Sequence, residues 1–442
     1  MMNDLRQSLH LEPLKGWLND PNGLCFFKGE YHVYFQYAPD RADGGGRKCW
    51  GHFKSPDLRK WQFTGTVLFP DTPDDRNGVY SGCGLVKGGK LYLFYTGNVM
   101  EEGDHDYTTS GRGANVILVT TEDGHTMSEK KTLLRSSDYP DYCSCHVRDP
   151  KVWEEDGRYH MVLGARTLDD KGCVLFYASD DLENWEFEEE VRTPGLGYMW
   201  ECPDVFTLGT HKFLSISPQG AAAEKYRFQN VYSSGCLDLD TGVYTEWDNG
   251  FDFYAPQSFE APDGRRLFIG WMGIGDIPYS NPTVGLGWQH CLTLPCELTV
   301  REDGKILRSP ARELTELRRE QQTVTDGRSF DTQLPFELTG DTEKEFSVVL
   351  ANVFTLVYSG GEVRLRFLGN AGCGRTVRYA RLPECRDIRI IADKTSAEIF
   401  LNCGETVLST RMYPADTQVR LITEGITGTL FTLEGIEVSY DG

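Results

Sequence analysis

Three acidic residues stand out by their settings: Asp20 in "WLNDPNG" (17–23), Asp149 in "HVRDPKVW" (146–153) and Glu201 in "MWECPD" (199–204). Taken singly, each string describes a turn. Pro presets φ, Asn and Gly tolerate positive φ, and Asp and Asn bond their own backbone. Taken together, with Asn19 and Arg148 as donors and Trp17 and Trp200 as flat apolar faces, they suggest chemistry. Carboxylates that share a site raise one another's pKa, because like charges resist simultaneous ionisation. Such a costly cluster points to function. Glycoside hydrolysis calls for it: one carboxylate serves as nucleophile or base, and another, with a raised pKa, protonates the leaving oxygen. Aromatic faces suit a sugar ring, and Asp, Asn and Arg suit its hydroxyls. A metal site is the rival use of clustered acids. The "CSCH" string at 143–146 has no spaced Cys pair to complete it, and His146 is the one histidine near an acid motif, so neither metal nor cofactor is expected.

Something must bring residues so far apart in sequence together. Five segments share one layout of polar opening motif, apolar run, Gly- or Asp-containing turn and aromatic-rich run: "NDPNGLCFFKGEYHVYFQYAP", "YSGCGLVKGGKLYLFYTG", "VRDPKVWEEDGRYHMVLGAR", "ECPDVFTLGTHKFLSISPQG" and "FYAPQSFEAPDGRRLFIGWMG". With Asp20, Tyr80, Asp149, Glu201 and Tyr254 as markers, the steps are 60, 69, 52 and 53 residues. Each reads as a hairpin with further short strands between. A second motif, S-x-D-L-x-x-W, recurs as "SPDLRKW" (55–61) and "SDDLENW" (179–185). Several strands per long repeat indicate a propeller rather than a helical solenoid, with a large β-sandwich as the alternative. The expectation is an all-β chain in which a five-bladed β-propeller (1–297), a linker (298–320) and a C-terminal β-sandwich (321–442) follow in turn, the last from strands such as "EVRLRFL" and "SAEIFLN" with turns between. In a propeller the inner strands start at the central channel, so the three acids would converge there.

The formal net charge of −21 disfavours nucleic acid and anionic membrane surfaces, and it leaves neutral sugars open. No apolar stretch is long enough for a membrane span, and "MMNDLRQSLHLEPLKG" has no apolar run fit for a signal peptide. With 13 cysteines in apolar surroundings, a cytoplasmic protein of reduced thiols is expected.

At these residues the sequence resembles glycoside hydrolase family 32, the invertase and fructan-hydrolase family. The strings that carry the likeness are "WLNDPNG", "YHVYFQYAP", "WGHFKSPDL", "HVRDPKVW", "MWECPD", "ISPQG", "DFYAPQ" and "GWQHCLTLP", with "SAEIFLNCGETVLSTRMYP" in the sandwich. The resemblance implies retaining hydrolysis of β-fructofuranosides. Asp20 would be the nucleophile, Glu201 the general acid/base and Asp149 the transition-state stabiliser, holding fructose hydroxyls with Arg148. Asn19 would add a donor, and Gln36, Trp50, Ser81, Tyr254 and Trp288 match positions that line or border the sugar pocket. Cys202, directly after Glu201, could adjust its pKa. Departures from the family pattern fall at Tyr80 and Cys83, where the pocket wall would change, and at Asn115 and Cys296. Within the family, intracellular sucrose and sucrose-6-phosphate hydrolases resemble the chain most. An exo-acting hydrolase of short fructo-oligosaccharides is the alternative reading, and a catalytically silent sugar-binding propeller a further one.

Overall fold

The computed structural model describes residues 5–440. The expected hairpins form, and the turn chemistry accounts for them. Phe27 pairs with Glu30, Lys87 with Lys90 and Glu155 with Arg158 across two-residue turns. In each turn both residues have positive φ: Lys28 and Gly29, Gly88 and Gly89, Asp156 and Gly157. That geometry matches the right-handed twist of the flanking strands. The repeated S-x-D-L-x-x-W motif is structural. Asp57 accepts from the N–H groups of Arg59 and Lys60 and Asp181 from those of Glu183 and Asn184. The Trp61 and Trp185 indoles donate back to the Leu58 and Leu182 carbonyls.

The chain forms a β-propeller followed by a C-terminal, sandwich-like sheet. Four propeller sheets contain plain consecutive meanders, opened by Gly16–Phe27, Gly78–Lys87, Cys143–Glu155 and Met199–Leu208. Of the five like blades expected, four are found. The sheet of the last repeat is different: after Tyr254–Glu260 and Arg266–Met272 the chain leaves, and both Cys291–Leu292 and Cys296–Val300 return to pair with Arg266–Met272. The excursion also sends Trp288–Gln289 alongside Gly16–Phe27 as a parallel strand, which ties the last repeat to the first.

Residues 298–310, read from sequence as linker, instead belong to two strands of the last propeller sheet, Cys296–Val300 and Ile306–Pro310. The sandwich begins with Arg318–Val324, and its ten strands bury a separate core that includes Leu338, Val348, Leu356, Ile390 and Ile399. The chain then returns: Glu437–Tyr440 pairs in parallel with Lys60–Leu68 of the first propeller sheet. Buried polar contacts fix the two bodies against each other: Arg375 pairs with Asp252 at 2.6 Å, and Asp248 accepts from the Ser409 N–H at 2.8 Å. No helix among the described residues is long and apolar enough to cross a membrane.

Candidate active site

Every inner strand carries a bulge at the same point of its sheet. Asn19 and Asp20 together face the single residue Gln36, because Leu18 pairs with Tyr37 and Pro21 with Phe35. The same two-against-one mismatch occurs at Tyr80–Ser81, Asp149–Pro150, Cys202–Pro203 and Ala255–Pro256. A bulge breaks the alternation of side chains and re-aims them. The three acids therefore do not sit at equivalent positions, as convergence of the repeats had suggested. Glu201 immediately precedes its bulge, Asp149 is the first bulge residue and Asp20 the second. One backbone device delivers three carboxyls in three orientations to one cavity of about 230 Å³, which Asn19, Gln36, Ser81, Arg148 and Tyr254 also line.

Asp20 is half-buried. Its Oδ2 accepts from Ser81 Oγ at 2.5 Å and lies 3.7 Å from Cys202 Sγ. Burial pushes its pKa up, donors Ser81 and Asn19 pull it back, and the charge of Glu201 adds to the rise. Asn19 is held between Trp17, whose indole donates to Oδ1 at 3.0 Å, and Gln36, whose Oε1 accepts from Asn19 Nδ2. Asp149 is buried. Its Oδ2 accepts from the Cys202 N–H at 3.0 Å and faces Cys202 Sγ at 3.6 Å. Its pKa is also raised, by burial first, with Arg148 opposing and Glu201 adding to it. Cys202 thus touches two of the acids, Asp20 and Asp149, and burial keeps its own thiol protonated.

Glu201 is gripped on both oxygens. Arg148 donates to Oε1 from Nη2 at 2.6 Å and from Nε at 3.1 Å. Oε2 accepts from Gln219 Nε2 at 2.6 Å and from the Tyr254 hydroxyl at 2.7 Å. Tyr254 stays a phenol, since burial and then the Glu201 charge push its pKa well up. Arg148 donates outward as well, from Nη1 to His146 Nδ1 at 2.7 Å. Burial and the charges of Arg148, Arg112 and Arg166 bring His146 down to about 3, so it is a neutral acceptor.

Two expected pocket residues lie elsewhere. Trp50 is fully buried behind the wall, where its indole donates to the Tyr80 carbonyl at 3.1 Å. Trp288 is outside the cavity: its indole donates to Glu12 at 3.3 Å and its ring is covered by the Arg6 guanidinium at 3.6 Å. Of the departures, Tyr80 lines the cavity. Cys83 lies below it, accepting from the Val152 N–H at 3.1 Å, and Asn115 donates to the Asp74 carbonyl at 2.8 Å. Sequence reasoning missed Arg112, Gln219, Tyr232 and Trp271 as lining residues. Gln219 was within reach, since it ends the "ISPQG" string. Trp271 adds an aromatic wall, edge-on to Tyr254 at 6.2 Å, and its buried indole N–H has no hydrogen-bond partner among the described residues.

Comparison with known proteins fits this geometry. Residues 10–310 match the glycosyl hydrolases family 32 N-terminal domain, and residues 302–439 match the glycosyl hydrolases family 32 C terminal. The chain is 38% identical over 437 residues to sucrose-6-phosphate hydrolase of Bacillus subtilis (strain 168), covering 92% of this chain and 89% of that protein. Its fold superimposes on sucrose-6-phosphate hydrolase from Lactobacillus gasseri with a TM-score of 0.85 and 27% identity, over 98% of this chain and 94% of the other. A mutant Bombyx mori GH32 β-fructofuranosidase in complex with sucrose gives a TM-score of 0.84 at 27% identity, over 99% and 95% of the two chains. With both domains matched along almost their whole length, the chain belongs to glycosyl hydrolase family 32 and is a glycoside hydrolase.

Proposed function

We propose that the protein is a retaining β-fructofuranosidase that cleaves the fructosyl bond of sucrose or sucrose-6-phosphate by double displacement. The observation that carries this is the placement of three carboxyls, on the inner strands Gly16–Phe27, Cys143–Glu155 and Met199–Leu208, around one cavity. Asp20 attacks the anomeric carbon while Glu201 gives its proton to the glycosidic oxygen. Glu201 then takes a proton from the water that frees fructose from Asp20. The partners of Asp20 suit a nucleophile, since donors from Ser81 and Asn19 hold the carboxylate form against burial. Glu201 sits between donors on both oxygens, which fixes its direction as it gains and loses a proton. Asp149, beside Arg148, bears on the positive charge that develops on the ring and binds sugar hydroxyls.

The same reading takes the propeller as five-bladed, with the irregular sheet of the last repeat as its fifth blade. Five bulges at matching positions support it. It takes the propeller as extending to Pro310 and the sandwich as starting near Arg318. A reducing, cytoplasmic setting suits thirteen free thiols. The test is kcat/KM on sucrose, sucrose-6-phosphate and 1-kestose with Asp20→Ala as the blank. Fructose release from the disaccharides that the substitution abolishes is the expected result. A marked preference for 1-kestose would move the protein to fructan hydrolysis, and no turnover of any of the three would overturn the reading.

A further inference from the structure

The three acids use up one arginine and leave others. Arg148 is committed to Glu201 on one side and to His146 on the other. Arg112 also lines the cavity, yet among the described residues it makes no salt bridge. Its Nε donates to Asn98 Oδ1 at 3.1 Å, and its guanidinium lies 5.7 Å from the Tyr80 ring. In a chain with a formal charge of −21, a half-buried cation in a pocket without a carboxylate of its own is conspicuous. A third arginine stands close by. Arg166 covers the Tyr198 ring at 4.6 Å, and its carboxylate contact is Asp170, whose side chain is 66% exposed and so can be exchanged for another anion.

Arg112 lines the cavity, and Arg166 stands beside His146, because Ala165 pairs with Val147 and Thr167 with Cys143. Arg112 opens the strand Arg112–Thr121, Arg166 lies near the end of the adjacent sheet's Arg158–Thr167, and His146 lies two residues before Arg148 on the same face of its strand. Arg148 links His146 to Glu201, which on the proposed mechanism protonates the bond to the leaving sugar.

We propose that Arg112 and Arg166 form an anion subsite at the cavity mouth that takes a phosphate group carried by the leaving sugar. The inference rests on the fructosidase reading and narrows it, favouring the phosphorylated disaccharide over the neutral one. Guanidinium groups present several donors in a fixed fork that suits phosphate oxygens. His146, held neutral, accepts from Arg148 and so keeps that arginine from competing for the anion.

The experiment compares the ratio of kcat/KM for sucrose-6-phosphate over sucrose in the wild type, Arg112→Gln, Arg166→Gln and the double variant, at fixed ionic strength because such contacts are screened by salt. The wild type is expected to favour the phosphorylated sugar by more than about tenfold, and each single variant to lose about tenfold of that ratio. If both substrates slow together and the ratio holds, the arginines merely balance the acids and the proposal falls. Thermal shift with glucose 6-phosphate against glucose reads the subsite without chemistry. Stabilisation by the phosphorylated sugar in the wild type, lost in the double variant, supports the subsite; equal shifts by both sugars overturn it. If neither disaccharide releases fructose while glucose 6-phosphate still stabilises the wild type alone, the fructosidase reading fails and the anion subsite stands.

Discussion

Ser81 should set the pH at which Asp20, the proposed nucleophile, ionises. Its hydroxyl lies 2.5 Å from Asp20 Oδ2 and donates to it. Burial raises the Asp20 pKa, and the Ser81 bond is the strongest influence opposing that rise. A hydrogen bond to a charged group contributes about 1.5–3 kcal/mol, and one pKa unit corresponds to about 1.4 kcal/mol. Ser81→Ala should therefore raise the Asp20 pKa by about 1–2 units, toward the lower figure if water fills the space left by the hydroxyl. In the proposed mechanism the attacking species is the carboxylate, so the acid limb of kcat/KM should move to higher pH by the same amount. Activity well above that limb should change much less. The assay is the pH profile of kcat/KM on sucrose for wild type and variant, which reports the free enzyme. A uniform loss of rate at all pH values with an unmoved acid limb would refute the argument, since it would make Ser81 a substrate ligand and not a partner of Asp20.

Two further predictions concern stability. His10 is buried between Asp393, 2.8 Å from Nδ1, and Glu398, 3.1 Å from Nε2; burial alone would lower its pKa, but the two carboxylates raise it to about 9. Its contribution is then fully present below the unfolded value of about 6.5 and is lost as pH rises through about 9, so the urea midpoint of His10→Gln should lie well below wild type at pH 6 and close to it near pH 10. Asp149→Ala strands the buried Cys202 N–H that now bonds to Oδ2, whereas Asp149→Asn keeps an acceptor; both lose the charge, so urea denaturation should find the alanine variant less stable than the asparagine one by about 1–3 kcal/mol, and equal stabilities would show that this bond is not structural.

Much of the architecture was legible because it is written in local patterns. Hairpins such as Phe27–Glu30 follow from a Lys-Gly turn between aromatic-rich runs, and the repeat of such units pointed to a propeller. The acids were legible because Asp20, Asp149 and Glu201 stand in distinctive strings. The irregular last sheet was not, because its break depends on where residues 273–290 travel, and Trp288 pairs with a strand some 270 residues away. Its exclusion from the pocket has the same cause: Arg6 and Glu12, from the chain's start, cover the ring and bind its indole. Arg112 was invisible for another reason. "SGRGANVIL" carries no motif, and a cation becomes notable only when the fold places it in a cavity with no salt bridge among the described residues.

The bulges explain how the site tolerates a backbone that should resist it. Asp149, Cys202 and Ala255 all have positive φ, at 63°, 48° and 47°, and each precedes a proline. Non-glycine residues pay for that region, and a following proline favours extended backbone instead. Strain of this kind costs about 1–3 kcal/mol per residue and persists only where the surroundings over-determine it. Here the determinant is a side chain from the preceding sheet in each case. The Asp149 N–H donates to Thr96 Oγ1 at 2.8 Å, the Cys202 N–H to Asp149 Oδ2 at 3.0 Å and the Ala255 N–H to Ser234 Oγ at 3.2 Å. The bonds step around the channel, so each bulge is braced by its neighbour and none could form in an isolated sheet. Asp149 is both a member of the acid cluster and a brace for the turn that presents Glu201. Asp20 braces no backbone N–H among the described residues; its carboxyl partners are the Ser81 and Cys202 side chains. On the proposed mechanism, substitution at Asp20 should therefore read chemistry directly, while substitution at Asp149 should read chemistry and the placement of Glu201 together.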